Sequence, residues 1–338
     1  MDVFSKSGVA ARSAIAGFQP SGDGRLHVGN LLGSALPFAG HKVDGRKFAM
    51  VADVHALSMG RLPEGFAQAK SRMLRELVAC GLADGGALLF EQSMVPEILA
   101  LQALLMPFAP MGDLRRMTQF EQKSKTAEGD PLALLAYPCL MAADILALGA
   151  LDAVVGEDQR QHLELARAIS ARLDRSLGVD LGEPRAVELT ASARIKSLRD
   201  PSSKMSKSDA DGAGALFISD SRDQLAKKIK RAVTDARALP ELGEGFDRTE
   251  RPGAANLVEI CARGLGIEEG EVLGRLAGQG HAALKEMAIE AVDGMLAPIR
   301  ERLEQTSAEQ AKSIARLSAA EAREIASKTL ARVLAALG

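Results

Sequence analysis

Arg46-Lys-Phe-Ala-Met-Val-Ala-Asp53 is apolar at consecutive positions from Phe48 to Ala52, not at alternate ones. A strand written that way is buried on both faces, the habit of parallel strands covered by helices on either side. Ser13-Ala-Ile-Ala-Gly-Phe-Gln19 reads as a shorter buried strand before it, and Ala87-Leu-Leu-Phe90 and Leu151-Asp-Ala-Val-Val155 as later ones. Residues Ala186–Leu189 are expected as the last strand, and Pro63 to Cys80 as an amphipathic helix between strands. Together they predict an α/β fold built on a Rossmann-like parallel sheet.

Open sheets of this kind bind ligands at the carboxyl ends of their strands. After the first strand comes the turn Pro20-Ser-Gly-Asp-Gly24, and a helix starts near His27-Val-Gly-Asn30. Its first N–H groups are open to phosphate, although the glycine spacing is not the dinucleotide fingerprint and disfavours NAD. Asp53-Val-His55 ends the second strand. Gly156-Glu-Asp-Gln159 follows the fourth and opens a long helix, whose dipole is itself a sufficient reason for Glu157 and Asp158.

Leu134-Leu-Ala-Tyr-Pro-Cys-Leu-Met-Ala-Ala-Asp-Ile-Leu-Ala-Leu148 is a helix apolar on every face except at Asp144. Burying an unpartnered carboxylate costs several kcal/mol, so a structural ion pair or a ligand N–H must meet it. Tyr137, the only tyrosine, lies two helical turns earlier on roughly the same face. Farther on, Asp200-Pro-Ser-Ser-Lys-Met-Ser-Lys-Ser-Asp-Ala-Asp-Gly212 is too rich in turn formers for helix or strand. Lys204 and Lys207, with hydroxyls before, between and after them, suit either a polyanion or plain solvation.

Gly17-x-Gln-Pro-Ser-Gly22, His27-x-Gly-Asn30, the Tyr137–Asp144 helix, Gly156-Glu-Asp-Gln159 and Lys204-Met-Ser-Lys-Ser208 together resemble the class I aminoacyl-tRNA synthetases, in their tryptophanyl form. That resemblance, over residues 14–235, implies the activation of L-tryptophan with ATP and Mg²⁺ and transfer to tRNA(Trp). It implies catalytic His27, Asn30, Lys123, Lys204 and Lys207. ATP would be held by Gln19, Pro20, Ser21, Gly29, Asn30, Gly156, Glu157, Asp158, Ile195 and the loop Lys204, Met205, Ser206, Lys207, Ser208. Tryptophan would meet Asp144 through its indole N–H, Tyr137 and Gln159 through its ammonium, and Met141, His55 and Val155 besides. It also implies a homodimer, and no DNA partner.

The chain of 338 residues is long enough for two domains. Residues 1–213 are expected as catalytic, with a helical insertion near 92–130 whose two helices run Pro96 to Met106 and Gly112 to Gln122. Residues 214–338 are expected as an all-helical part for tRNA, with helices over Arg222–Asp235, Ala254–Leu265, His281–Glu304 and Ser307–Leu337. A net charge of −2 offers RNA no bulk attraction, so a local basic face is needed, and Lys227-Lys-Ile-Lys-Arg231 is the densest cluster. A solvated helix face explains that run equally well. Cys80, Cys139 and Cys261 have no metal-site spacing, and Met1–Ser13 has no apolar signal core. No run approaches the roughly 20 apolar residues of a membrane span. A cytoplasmic protein is expected.

Overall fold

The computed structural model describes residues 12–60, 62–118, 120, 132–156, 159–187, 189, 194–206, 212–242 and 244–338. Among them five parallel strands form one sheet: β1 (Ala14–Phe18), β2 (Lys47–Val51), β3 (Ala87–Glu91), β4 (Asp152–Val154) and β5 (Arg185–Ala186). Their order is β3-β2-β1-β4-β5. Ala14 pairs with Lys47 on one side and Asp152 on the other, so the strand order reverses at β1. The crevice beyond the carboxyl ends of β1 and β4 is therefore the topological switch point.

Consecutive side chains serve opposite cores. Ala14, Ala16, Phe18, Ala49, Val51 and Leu89 enter one, while Ile15, Phe48, Met50 and Phe90 enter the other. That division is why the strand pattern is apolar without alternation. Of the last strand, expected over Ala186–Leu189, Glu188 lies outside the described residues. Among those described, Arg185 and Ala186 pair, both exposed at the sheet's edge, and the Val187 N–H donates to Ala153 O at 2.9 Å. Arg185 forks onto Asp152 at 2.6 and 2.9 Å. The helix expected from Pro63 begins at Phe66, where Gly65 adopts the left-handed conformation and breaks the run.

In the insertion Pro96–Leu105 is helical; the second run is helical over Met111–Arg115, breaks at Arg116 and Met117 and is helical again at Thr118 and Phe120, while residues 119 and 121–131 lie outside those described. Beyond Gly212 the helices are Arg222–Lys230, Pro252–Leu265, Glu269–Arg275, His281–Gln305 and Ala308–Ala335. Glu269–Arg275 carries too few turns for its period to stand out in the sequence. The buried core runs on across residue 213, with Leu225 and Leu257 in the same cluster as Ala14. The last helix returns to the sheet and packs on β3. Its small residues Ala311 and Ala315 enter one core, and Ala319, Ala322 and Ala326 the other. Arg323 pairs with Glu97 at 3.0 Å on the way.

Candidate active site

The turn after β1 is fixed by its neighbours. A Cβ on Gly24, which has φ +83°, would fall 1.9 Å from the Ala69 carbonyl oxygen, so no other residue fits there. The buried carboxylate of Glu76 accepts the Leu26 N–H and holds the strand leading to the helix. His27 then caps that helix. Its Nδ1 accepts the Asn30 N–H at 3.1 Å, and Asn30 Oδ1 accepts the His27 N–H at 3.3 Å. This reciprocal capping box orients both side chains at the edge of the cleft, while the Val28 N–H donates to Leu216 O at 2.8 Å. The following turn, Leu31–Ala35, is a π-helix, a form frequent at functional sites.

Two cavities open at this helix start. One, of about 590 Å³, is bordered by Asn30, Gly156, Arg160, Arg194, Ile195 and Lys204. The other, of about 390 Å³, is bordered by Gln19, Ser21, His27, Asn30, Met205 and Ser206. Gly29 faces the first, and a Cβ there would stand 3.0 Å from His27 Nδ1 and 3.4 Å from Met205 Cβ. Lys204 leaves a short hairpin: it bridges Lys196, and the Met205 N–H donates to Ile195 O at 3.1 Å. Asn256, from the Pro252–Leu265 helix, grips the root of that hairpin. Its Oδ1 accepts the Lys196 N–H at 2.8 Å and its Nδ2 donates to Lys196 O at 3.0 Å.

A third cavity of about 260 Å³ lies beside these, and Gly17 borders all three. A Cβ on Gly17 would meet nothing within 4 Å, so the space over it is open to a ligand. Asp144, Tyr137, Gln159, Met141, His55 and Val155 all line this third cavity. Asp144 is 3% exposed and carries the pair its burial demands. His55 Nε2 lies 2.8 Å from Oδ2, and Gln92 Nε2 donates to Oδ1 at 2.6 Å. Burial pushes the Asp144 carboxyl above the usual range, with His55 and Gln92 pulling the other way. Tyr137 Oη lies 2.9 Å from His162 Nε2, and His162 Nδ1 lies 2.6 Å from Gln159 Oε1. Below His55, Asp53 accepts from Ser93 N–H and Oγ and from Lys70, which also pairs with Glu91.

Lys123, Glu157, Asp158, Lys207 and Ser208 lie outside the described residues. Pro20 sits in the turn without bordering a cavity. Sequence reasoning missed Gln92 and His162. Gln92 stands at the end of β3 as Asp53 does beyond β2, a positional signal that could have found it. The basic cluster is partly spent internally: Lys228 donates to Asp220 at 2.6 Å and lies over the Phe217 ring, and Lys230 pairs with Glu286. Burial pushes the Cys80 and Cys261 thiols up to about 12, and Cys139 to about 11. A larger hollow of about 960 Å³, lined by Leu36, His41, Arg263 and Glu271 among others, lies apart from the carboxyl-end crevice and contains none of the expected site residues.

A parallel sheet with a glycine-bearing turn, a capped helix start and a Lys-bearing hairpin at the switch point is the arrangement of a class I aminoacyl-tRNA synthetase, and the family "tRNA synthetases class I (W and Y)" matches residues 10–297. The tryptophan–tRNA ligase of Caldanaerobacter subterraneus is 36% identical over 97% of this chain and 98% of that one. The tryptophanyl-tRNA synthetase structure from Mycoplasma pneumoniae superposes with a TM-score of 0.82 at 32% identity, covering 97% of this chain and 98% of that one. A Campylobacter jejuni tryptophanyl-tRNA synthetase complexed with ADP and tryptophan gives 0.78 at 27%, covering 96% and 99%. The chain belongs to the tryptophanyl-tRNA synthetases.

Proposed function

We infer that the three cavities divide one reaction between them: tryptophan in the smallest, ATP in the other two, and the reacting atoms over Gly17. The reaction is that of a tryptophan–tRNA ligase. The tryptophan carboxylate attacks the α-phosphate of ATP, giving tryptophanyl-adenylate and diphosphate. A ribose hydroxyl of the terminal adenosine of tRNA(Trp) then takes the amino acid and releases AMP. A carboxylate is already ionised at neutral pH, so the first step needs no general base. Positioning and charge stabilisation must supply the rate.

Asp144, oriented by His55 and Gln92, accepts the indole N–H. Tyr137 and Gln159 receive the ammonium, while Met141 and Val155 flank the ring. The Val28–Asn30 helix start, with His27 and Asn30, faces the phosphates; Gln19, Ser21 and Gly29 complete that wall, and Pro20 shapes the turn that carries Gln19 and Ser21. Ile195 packs on adenine, and Gly156 to Asp158 meet the ribose. Lys204 and Lys207 of the loop, together with Met205, Ser206, Ser208 and Lys123, close on the triphosphate. Mg²⁺ enters with ATP, because an ion of this kind is held largely by phosphate oxygens and water. Among the described residues no group of three metal-ligating side chains competes for that part.

Residues 214–338 serve tRNA recognition, and the working form is a cytoplasmic homodimer. No described helix is long and apolar enough to cross a membrane. The observation that carries this reading is the junction at Gly17, which borders both the cavity holding the buried Asp144 carboxylate and the cavity at the Val28–Asn30 helix start. ATP–diphosphate exchange with each amino acid in turn tests it. Exchange should depend on tryptophan and Mg²⁺, with tyrosine and phenylalanine far behind; exchange led by tyrosine would overturn the reading.

A further inference from the structure

His162 is 1% exposed and lies between the two side chains assigned to the substrate ammonium. Its ring also stacks edge-on against Tyr137, with centroids 4.9 Å apart. We propose that His162 is a positioning residue that sets the direction of hydrogen bonding at the ammonium subsite, turning Tyr137 and Gln159 into acceptors for the amino group. The inference rests on the reading of the third cavity as the tryptophan site.

The direction follows from the donor inventory. Gln159 presents its carbonyl oxygen to His162 Nδ1 at 2.6 Å, and a carbonyl oxygen only accepts, so Nδ1 carries a hydrogen. A neutral imidazole with Nδ1–H has its lone pair on Nε2. A cation bound on the far side of Tyr137 and Gln159 is compatible with that neutral ring. The hydrogen between Nε2 and Tyr137 Oη, 2.9 Å apart, is therefore the tyrosine's own. With its hydrogen turned to His162, the Tyr137 oxygen meets the cavity as an acceptor. An ammonium has three donors and no acceptor, so a hydroxyl hydrogen pointing the other way would repel it. The same imidazole N–H fixes the Gln159 oxygen, whose carbonyl has a second lone pair for the ligand. One buried ring thus sets the polarity of two substrate contacts without touching substrate.

The test compares L-tryptophan with indole-3-propionate, which keeps the ring and carboxylate and lacks the ammonium. The chain has no tryptophan, so ligand indole fluorescence reports binding directly. His162→Leu should weaken tryptophan roughly tenfold to a hundredfold, the scale of hydrogen bonds to a charged group, and leave indole-3-propionate unchanged. His162→Gln, whose oxygen reaches the place of Nε2, should recover most of that loss. Equal weakening of both ligands, or of neither, overturns the proposal, since a merely structural histidine would not distinguish them. Tyr137→Phe separates the two levels. If it too fails to discriminate the ligands, the ammonium reading falls and this inference with it; if only His162→Leu fails to discriminate, this inference falls alone. Should the leucine variant not fold, the imidazole ¹⁵N shifts of the unaltered protein decide: a neutral Nδ1–H tautomer is expected, and Nε2–H overturns it.

Discussion

The cavity assigned to tryptophan and the two assigned to ATP share Gly17 but are lined by different kinds of group. Side chains build the first: Asp144, His55 and Gln92 come from three separate elements, and Tyr137, His162 and Gln159 form a second chain of hydrogen bonds. The second combines glycines with cationic side chains: Gly29, Gly33 and Gly156 border it beside Arg160, Arg194 and Lys204, at a helix start where His27 and Asn30 cap each other's N–H groups. In the proposed reading the contrast follows from the two ligands. A triphosphate needs charge and orientation, which cationic side chains beside closely approaching backbone supply. An amino acid must be told from near neighbours, and that takes directional groups buried where water cannot replace them. Substitutions in the cavity should therefore change which substrate is used, and those in the cleft how fast or how tightly ATP is used.

The sharpest test of this division is Asp144→Ala. Sites built around one buried hydrogen bond reject analogues lacking it by about 10⁴–10⁵. The variant should lose most of its kcat/KM for tryptophan together with its preference over phenylalanine, while ATP affinity holds. Asn should be milder, because its amide oxygen still accepts. Thermal stability will fall under any reading, since His55 and Gln92 lose their partner, so the tryptophan-to-phenylalanine ratio is the measurement that decides. An unchanged ratio would make Asp144 a strut. Acid offers the same lever. Burial raises the Asp144 carboxyl above its ordinary value, so tryptophan affinity should drop as pH falls through that raised value, and the Asn variant should lack this step.

Lys204→Ala comes next, with Lys207→Ala beside it. Removing one charge-stabilising donor costs about 10²–10³ in rate. Adenylate formation should slow by that order while tryptophan affinity stays near its original value. Tryptophan binding that weakened as much as the rate would erase the distinction between cavity and cleft. The smallest effect belongs to Gly29→Ala. Its Cβ would press His27 Nδ1 at 3.0 Å, a contact tight enough to tilt the capping box. Overpacking of this sort costs about 1–3 kcal/mol, so the KM for ATP should rise about tenfold with no change in tryptophan binding. An effect on tryptophan instead would show that the wall between the two sites transmits strain.

The sheet was legible because consecutive apolar residues at Phe48–Ala52 admit few alternatives, and the Tyr137–Asp144 pair because helical spacing fixes a shared face. What the sequence withheld depends on residues far apart in the chain. Nothing near Gln92 says that Asp144 will arrive beside it, and nothing in Lys227-Lys-Ile-Lys-Arg231 says that Asp220 and Glu286 will claim two of its lysines. The turn of character near Gly212 was readable as well. That the last helix would fold back across the sheet was not, since its alanines record only that something comes close.

That return has a consequence for how the protein is made. β3 is an outer strand, and Ala308–Ala335 lies against it while packing on the Phe66–Ala79 helix of one face and the Pro96–Leu105 helix of the other. An uncovered outer strand is a template for pairing with other chains. On the ribosome β3 is finished long before its cover exists. At roughly 5–20 residues per second, it waits some 10–50 s for Ala308–Ala335 to be complete. During that interval every nascent chain carries an unshielded seam, which closes only when that distant helix arrives.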